Sequence, residues 1–201
     1  MYLCGMNATD TRERILQQMF TDIRKNGFQG LRADKVVAEM GITKGALYHY
    51  FSNKQEIGAA VLDEIIRPNY LAAFRRLDQH TGDPITFLQE HIDFLAQKAT
   101  NDEVALGCPL NNLAQEMSPL DEDFRLRMKY IVEQIEHSVA AALERGKVNG
   151  YVREDADSKA IGRFFFSSIE GAYSMAKVIK SAEAFRENMH LLKTFLHTYR
   201  V

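Results

Sequence analysis

Residues 36–54 read Val-Val-Ala-Glu-Met-Gly-Ile-Thr-Lys-Gly-Ala-Leu-Tyr-His-Tyr-Phe-Ser-Asn-Lys. Two short helical segments, Ala33–Met40 and Lys44–Tyr50, flank Gly41-Ile42-Thr43, where Gly41 can take a left-handed turn and Thr43 can cap the second segment. Two helices meeting steeply need small residues at the crossing and apolar residues on the inner side of the second helix. Ala38, Gly41, Ile42, Leu47 and Phe51 supply these. With Leu47 and Phe51 inward, Thr43, Lys44, Gly45, Ala46, Tyr48 and His49 turn outward, on a helix sized for the major groove of duplex DNA. Gly45 and Ala46 allow close backbone approach. Tyr48, Tyr50 and Lys54 are expected to reach phosphates, Lys54 together with the free amides that open the next helix. Aromatics at this spacing usually form core, but small, polar and aromatic residues facing outward beside a basic helix start fit a contact surface better.

Upstream, Asp10 with Glu13 announces a first helix carrying Ile15, Leu16, Met19, Phe20 and Ile23 on one face and stopping at Asn26-Gly27. Downstream, Ser52 with Gln55 is expected to cap a long fourth helix toward His80, kinked or divided at Pro68. Asp83-Pro84 and Ser118-Pro119 mark two further helix starts. Apolar residues then trace one face from Phe124 to Leu143, with a stop at Gly146 and the turn Asn149-Gly150. Two last helices span about 155–180 and 182–199. The pattern is all-α, with about nine helices, no sheet, no repeat and no low-complexity linker. The chain is expected to divide at 54/55, into an N-terminal tail with a DNA-binding domain at 1–54 and a helical ligand-binding and dimerisation domain at 55–201.

The run Gly41-Ile42-Thr43-Lys44-Gly45-Ala46-Leu47-Tyr48-His49-Tyr50-Phe51-Ser52-Asn53-Lys54 resembles the helix-turn-helix signature of the TetR/AcrR regulators, with residues 10–56 carrying the likeness. The resemblance implies that Lys44–Tyr50 is the recognition helix, that Tyr48 and His49 lie at the DNA and that Lys54 contacts its backbone. It also implies a helical ligand-sensing domain whose last two helices pair as a dimer. Gly107-Cys108-Pro109-Leu110-Asn111-Asn112-Leu113 is similar to a segment of one subfamily and does not identify a ligand. One departure stands out: many members place Thr or Ser near positions 31 and 32, where this chain has Leu31 and Arg32. The cap of the second helix must come from elsewhere. Arg32 is either simply exposed or touches a phosphate or a minor-groove edge.

Bulk properties limit the alternatives. With 46% hydrophobic residues in 201, the chain can bury a core unaided. Its net charge of −2 hides an uneven distribution: residues 1–54 hold eight Lys and Arg against five Asp and Glu, the remainder seventeen against twenty-two. A basic head on an acidic body suits DNA at one end. No apolar run reaches a membrane span, the N-terminus lacks signal-peptide character, and Asn7-Ala8-Thr9 carries no weight as a glycosylation site without one. Met6 is an alternative start to Met1. Two cysteines, Cys4 and Cys108, are too few for a disulfide framework and lack metal spacing, so a cytoplasmic protein with neither metal nor cofactor is expected.

Beyond residue 55 nothing resembles a phosphate loop or a catalytic constellation, so no enzymatic activity is expected. Candidate cavity residues are Phe87, His91, Phe94, Leu95, Leu106, Cys108, Asn112, Met117, Tyr130, Phe165, Glu170 and Tyr173, about a third of which are expected to touch a ligand. Cys108 also carries a redox- or electrophile-sensing alternative, which requires partial exposure near a cation. One recognition helix buries too little surface for tight binding, so a homodimer on a palindromic operator is expected. Gly162, Phe165, Ser168, Ile169, Ala172, Met189, Leu192 and Phe195 are the candidates for its four-helix interface. A small-molecule effector would push on the fourth helix, move the recognition helices off the roughly 34 Å repeat of DNA and release it, which is repression. Two alternatives stay open: a helical small-molecule-binding protein with a vestigial helix-turn-helix, and an all-helical enzyme. A gel shift separates the first from a regulator; a substrate screen tests the second.

Overall fold

The computed structural model describes residues 8–201, so Cys4, Asn7 and the two candidate starts lie outside the described residues. The helices are α1 (Ala8–Gly30), α2 (Ala33–Glu39), α3 (Lys44–Tyr50), α4 (Lys54–Ala60), a π-helical segment (Val61–Ile66), α5 (Arg67–Asp78), α6 (Pro84–Lys98), α7 (Asn101–Leu106), α8 (Pro109–Met117), α9 (Glu122–Val148), α10 (Ser158–Ile179) and α11 (Ala182–His197). Among the described residues there is no strand, only an isolated bridge between Val152 and Arg200. The fold is all-α, as the periodicity predicts.

Two compact units form among the described residues, one of residues 8–68 with 112–127 and the other of residues 69–111 with 128–201. The boundary read from sequence, 54/55, falls inside the first. In that unit α1 buries Ile15, Leu16, Met19 and Ile23 of the stripe that its spacing announces and leaves Phe20 half-buried. Gly27 ends the regular helix with φ +75°, and the chain turns there before α2. Phe28 meets Phe124 at the start of α9, their centroids 4.8 Å apart. Gly58 of α4 is buried against both rings. In the second unit α10 packs on α11 and α7, and α11 on α6. Gly162 lets α10 approach α9 so closely that a Cβ there would lie 2.9 Å from the Glu136 carbonyl oxygen.

Several helix boundaries differ from those read in the sequence. The first helix starts at Ala8, which puts Asp10 inside it. The fourth is capped by Asn53, whose Oδ1 accepts from Glu56 N at 2.8 Å while Glu56 reaches back to Ser52 N at 2.6 Å. A glutamate three residues after an asparagine closes this reciprocal pair better than Ser52 with Gln55. Pro68 lies in the first turn of α5, and the irregularity precedes it as the π segment. The cap of α9 is Asp121, accepting from the amides of Asp123 and Phe124, rather than Ser118. Helix α9 runs through Gly146 to Val148. Asp83 caps α6 as expected, accepting from Ile85 N at 2.8 Å.

Candidate functional site

In the first unit the loop Gly41-Ile42-Thr43 sets α3 against α2. Gly41 takes φ +72°, and Thr43 Oγ1 accepts from Ala46 N at 3.2 Å, capping α3. Leu47 and Phe51 are buried, which fixes the inner side of α3; each contributes about 2 kcal/mol of apolar burial. Ala38, expected at the crossing, is exposed instead. With that side fixed, Thr43, Lys44, Gly45, Tyr48 and His49 are exposed, and Ala46 and Tyr50 half-buried. A Cβ added to Gly45 would meet only Thr43 Oγ1 at 3.9 Å, so the surface there is open.

The cations of this surface have partners that the sequence does not show. Lys44 Nζ lies 2.5 Å from Asp34 Oδ2, and Tyr48 donates its hydroxyl to Asp34 Oδ1 at 3.2 Å. The hydrogen bond from Lys44 holds the Asp34 carboxyl below its ordinary value and raises the lysine in turn. Lys54 donates to the Gln29 carbonyl at 2.9 Å, its ammonium 5.1 Å from the Phe28 ring centroid. Its work in the free chain is to brace the last turn of α1, beyond the kink at Gly27. Glu116 braces the same turn, accepting from Phe28 N at 2.9 Å and Gln29 N at 2.6 Å. Arg32 stands exposed at the N-cap of α2 and forms no side-chain cap bond, so no substitute cap appears at that position.

In the second unit a cavity of about 530 Å³ opens among α5, α6 and α10. Six of the expected residues line it: Phe87, His91, Phe94, Leu95, Glu170 and Tyr173. Tyr70, Phe74, Arg76, Glu90 and Phe166 join them, unforeseen. The other six lie elsewhere. Phe165 is fully buried in the core, Tyr130 is 48% exposed, and Cys108 is buried behind Tyr70. Leu106 ends α7, whereas Asn112 and Met117 belong to the first unit, where Gln29 Nε2 donates to Met117 Sδ.

Two cavity groups depart from ordinary acidity. Burial raises the Glu170 carboxyl to about 7, offset in part by a hydrogen bond with the Cys108 thiol, and leaves Oε2 without a partner. Burial lowers His91 to about 4, so its ring is neutral, edge-on to Phe74. Cys108 shares a 2.8 Å hydrogen bond with Tyr70 Oη and accepts from Asn111 N at 3.3 Å. Burial and the nearby Glu170 carboxyl drive the thiol well above its usual value. A reactive cysteine needs partial exposure and a neighbouring cation. Cys108 is buried next to an acid, so the sensing alternative finds no support in its surroundings.

The dimer residues chosen from sequence need correction. Gly162, Phe165, Ile169, Ala172, Met189 and Leu192 are buried within the chain itself, and only Ser168 and Phe195 are half-exposed. They form the core-facing stripe. The opposite face of α10 leaves Phe164, Met175, Val178 and Ile179 exposed, with Ser167 and Gly171 in step between them. Exposed Leu191 on α11 lies one turn before Phe195, which packs 4.5 Å from Phe164 by ring centroid. Among the described residues no helix is long and apolar enough to cross a membrane.

Comparison with known proteins matches both parts of the chain. Residues 23–61 match the family described as bacterial regulatory proteins, tetR family, and residues 84–190 match the C-terminal domain of the LmrA/YxaF-like transcriptional regulators. A helix-turn-helix-type transcriptional regulator from the lacX 3′ region of Lactococcus lactis is 26% identical over 188 residues, 94% of each chain. The transcriptional repressor DhaR of Mycobacterium sp. strain GP1 is 25% identical over 178 residues, 89% of this chain and 88% of its own. The crystal structure of a TetR transcriptional regulator from Chloroflexus aurantiacus shares the fold, with a TM-score of 0.82 at 19% identity over 96% of this chain and 97% of that one.

Proposed function

The chain belongs to the TetR family of bacterial regulatory proteins, and from that premise we propose that it is a homodimeric repressor that leaves its operator when a small molecule fills the α5–α6–α10 cavity. It is a ligand-responsive, DNA-binding transcriptional regulator. The observation that carries the finer reading is the outward side of α3: a capped helix with a buried inner side, presenting Lys44, Gly45, Tyr48 and His49 to a groove. Thr43, Gly45, Ala46 and His49 face base edges, while Lys44, Tyr48, Tyr50 and Arg32 take phosphates. Lys54 supports them through Gln29 and reaches the DNA backbone only by leaving that carbonyl.

Two such helices are needed for tight binding. The exposed stripe of α10 and α11 supplies the surface for a second copy, because Ser167 and Gly171 permit close helix approach between the apolar side chains. Effector binding acts along one unbroken helical run, since α5 contributes Tyr70, Phe74 and Arg76 to the cavity and continues back through the π segment to α4. Segments of π-helix often occur at functional positions.

Footprinting on the DNA upstream of the protein's own gene tests this reading. The account expects one protected palindrome, with protection lost on adding effector-containing extract of small molecules. Absence of protection on that DNA, and of affinity for any duplex at low ionic strength, removes it.

A further inference from the structure

The cavity has a chemistry of its own. Its volume of about 530 Å³ suits a drug-sized molecule. At the rim Arg76 and Glu90 are both exposed and of opposite sign, and together they favour neither kind of ion. Deeper, the side chains change character. Phe74 and Phe166 are buried, Phe87 and Tyr173 half-buried, and His91 is uncharged. The acid among them is Glu170, and among the described residues no basic side chain accompanies it, since Arg76 is the one Lys or Arg of the lining.

Glu170 Oε2 is buried without a hydrogen-bond partner. The groups around it do not fill that role. Asn111 Nδ2 donates to Ser174 Oγ at 2.7 Å and to the Glu170 backbone carbonyl at 3.5 Å, and Tyr70 Oη is taken by the Cys108 sulfur. An unpaired buried acceptor is costly, and a bound donor removes the cost. A neutral donor satisfies the oxygen, whereas a protonated amine also lets the carboxyl ionise and forms a stronger, charge-assisted bond. Aromatic faces around it attract the same cation. An anion would meet the buried Oε2 of Glu170.

We infer that this cavity takes a hydrophobic organic cation, a protonated amine that donates to Glu170 Oε2 while its apolar body lies among Phe74, Phe87 and Phe166. The inference rests on the reading of the cavity as the effector site and specifies the effector's class.

Calorimetric titration of the full-length protein near neutral pH with three aromatic probes tests it: cationic dibenzylamine, neutral dibenzyl ether and anionic diphenylacetate. Dibenzylamine is expected to bind at least about tenfold more tightly than either of the others. Glu170→Gln removes that preference, and a circular dichroism spectrum matching the wild type's shows that the variant is folded; Glu170→Asp keeps it. Equal or tighter binding of the ether or the acid, no binding of the amine, or an unaltered preference in Glu170→Gln overturns the cation site. Adding the same probes to the protein on its upstream DNA separates the two claims. Binding of the amine without DNA release keeps the cation site and removes its effector role. Release by the ether or the acid, and not by the amine, keeps the effector role and overturns the cation.

Discussion

Lys44 Nζ on the recognition helix lies 2.5 Å from Asp34 Oδ2 on the helix before it, and Tyr48 donates to the other oxygen of the same carboxylate. In the free chain, therefore, an acid holds two of the groups proposed to meet DNA. Lys44 must exchange that carboxylate for a phosphate on binding, and the negative charge of Asp34 stays near the duplex. Asp34→Asn is expected to tighten DNA binding and to steepen the salt dependence by about one charge; Lys44→Ala should make it shallower by about one. Fluorescence anisotropy across a salt series reads both. Identical slopes in wild type and both variants would place Lys44 away from phosphate.

The last turn of α1 is held by Glu116, far along the chain, through Phe28 N and Gln29 N. Gly27, with φ +75° and Glu116 Oε2 3.0 Å from where its Cβ would be, belongs to the same arrangement. Glu116→Ala strands two amides and is expected to cost about 2 kcal/mol in urea denaturation. Glu116→Gln, which keeps one acceptor, should cost less. A stability unchanged in Glu116→Ala would show that solvent replaces the carboxylate.

Gly58 leaves no room for a side chain, because a Cβ would overlap the rings of Phe28 and Phe124. Gly58→Ala should destabilise by about 2 kcal/mol through overpacking. Adding Phe124→Leu should recover part of that loss, because the shorter residue vacates the space. A double variant less stable than the sum of the two single losses would contradict this packing.

The two titrating groups of the cavity oppose each other. Glu170, raised from 4.5 to about 7, stays protonated in the folded chain while the unfolded chain ionises it, so its contribution to stability falls as pH rises through that interval. His91, lowered from 6.5 to about 4, is neutral when folded while the unfolded chain binds a proton, so its contribution rises from about pH 4 to 6.5. Each displacement corresponds to about 3 kcal/mol, and over their overlap the two nearly cancel. Glu170→Gln is expected to unmask the rise from His91, and His91→Gln the fall from Glu170. Urea midpoints across this pH range measure both; a Glu170→Gln profile matching wild type would contradict the assignment.

Much of the first unit was legible because its helices obey local rules. Gly41 and Thr43 bracket a turn whose geometry they determine, and Leu47 with Phe51 leaves α3 one way to face. What escaped depends on distance along the chain. Asp34, Gln29 and Glu116 meet their partners through packing that no spacing announces, and the bond from Lys54 to the Gln29 carbonyl is hidden for the same reason. The short helices α7 and α8 carry too few turns to show a period beside Gly107 and Pro109. On α10 two apolar faces compete, and the more regular one, Phe165-Ile169-Ala172, is the core; the less regular Phe164-Met175-Val178 stripe stays outside. Half of the expected cavity residues line it because α6 and α10 each turn one face to it. Tyr130 and Met117 show the limit: an aromatic or a methionine on an amphipathic helix can equally well be surface or core.

The exposed stripe predicts its own test. Val178→Asp with Leu191→Arg should convert a dimer into a monomer in light scattering and weaken DNA binding, while leaving the helical content by circular dichroism unchanged, since both side chains are exposed in the single chain. A wild-type protein that is already monomeric at micromolar concentration would leave the stripe unassigned to a second copy and contradict the dimer.

The most direct test of the account is Gly45→Glu. The open space at this position lets the variant fold, while its carboxylate faces where the duplex is proposed to lie. Native mass spectrometry and anisotropy on the upstream DNA are expected to show two wild-type chains per duplex and no measurable binding by Gly45→Glu, with matched unfolding curves. DNA affinity retained in the folded variant would contradict the claim that α3 enters the groove.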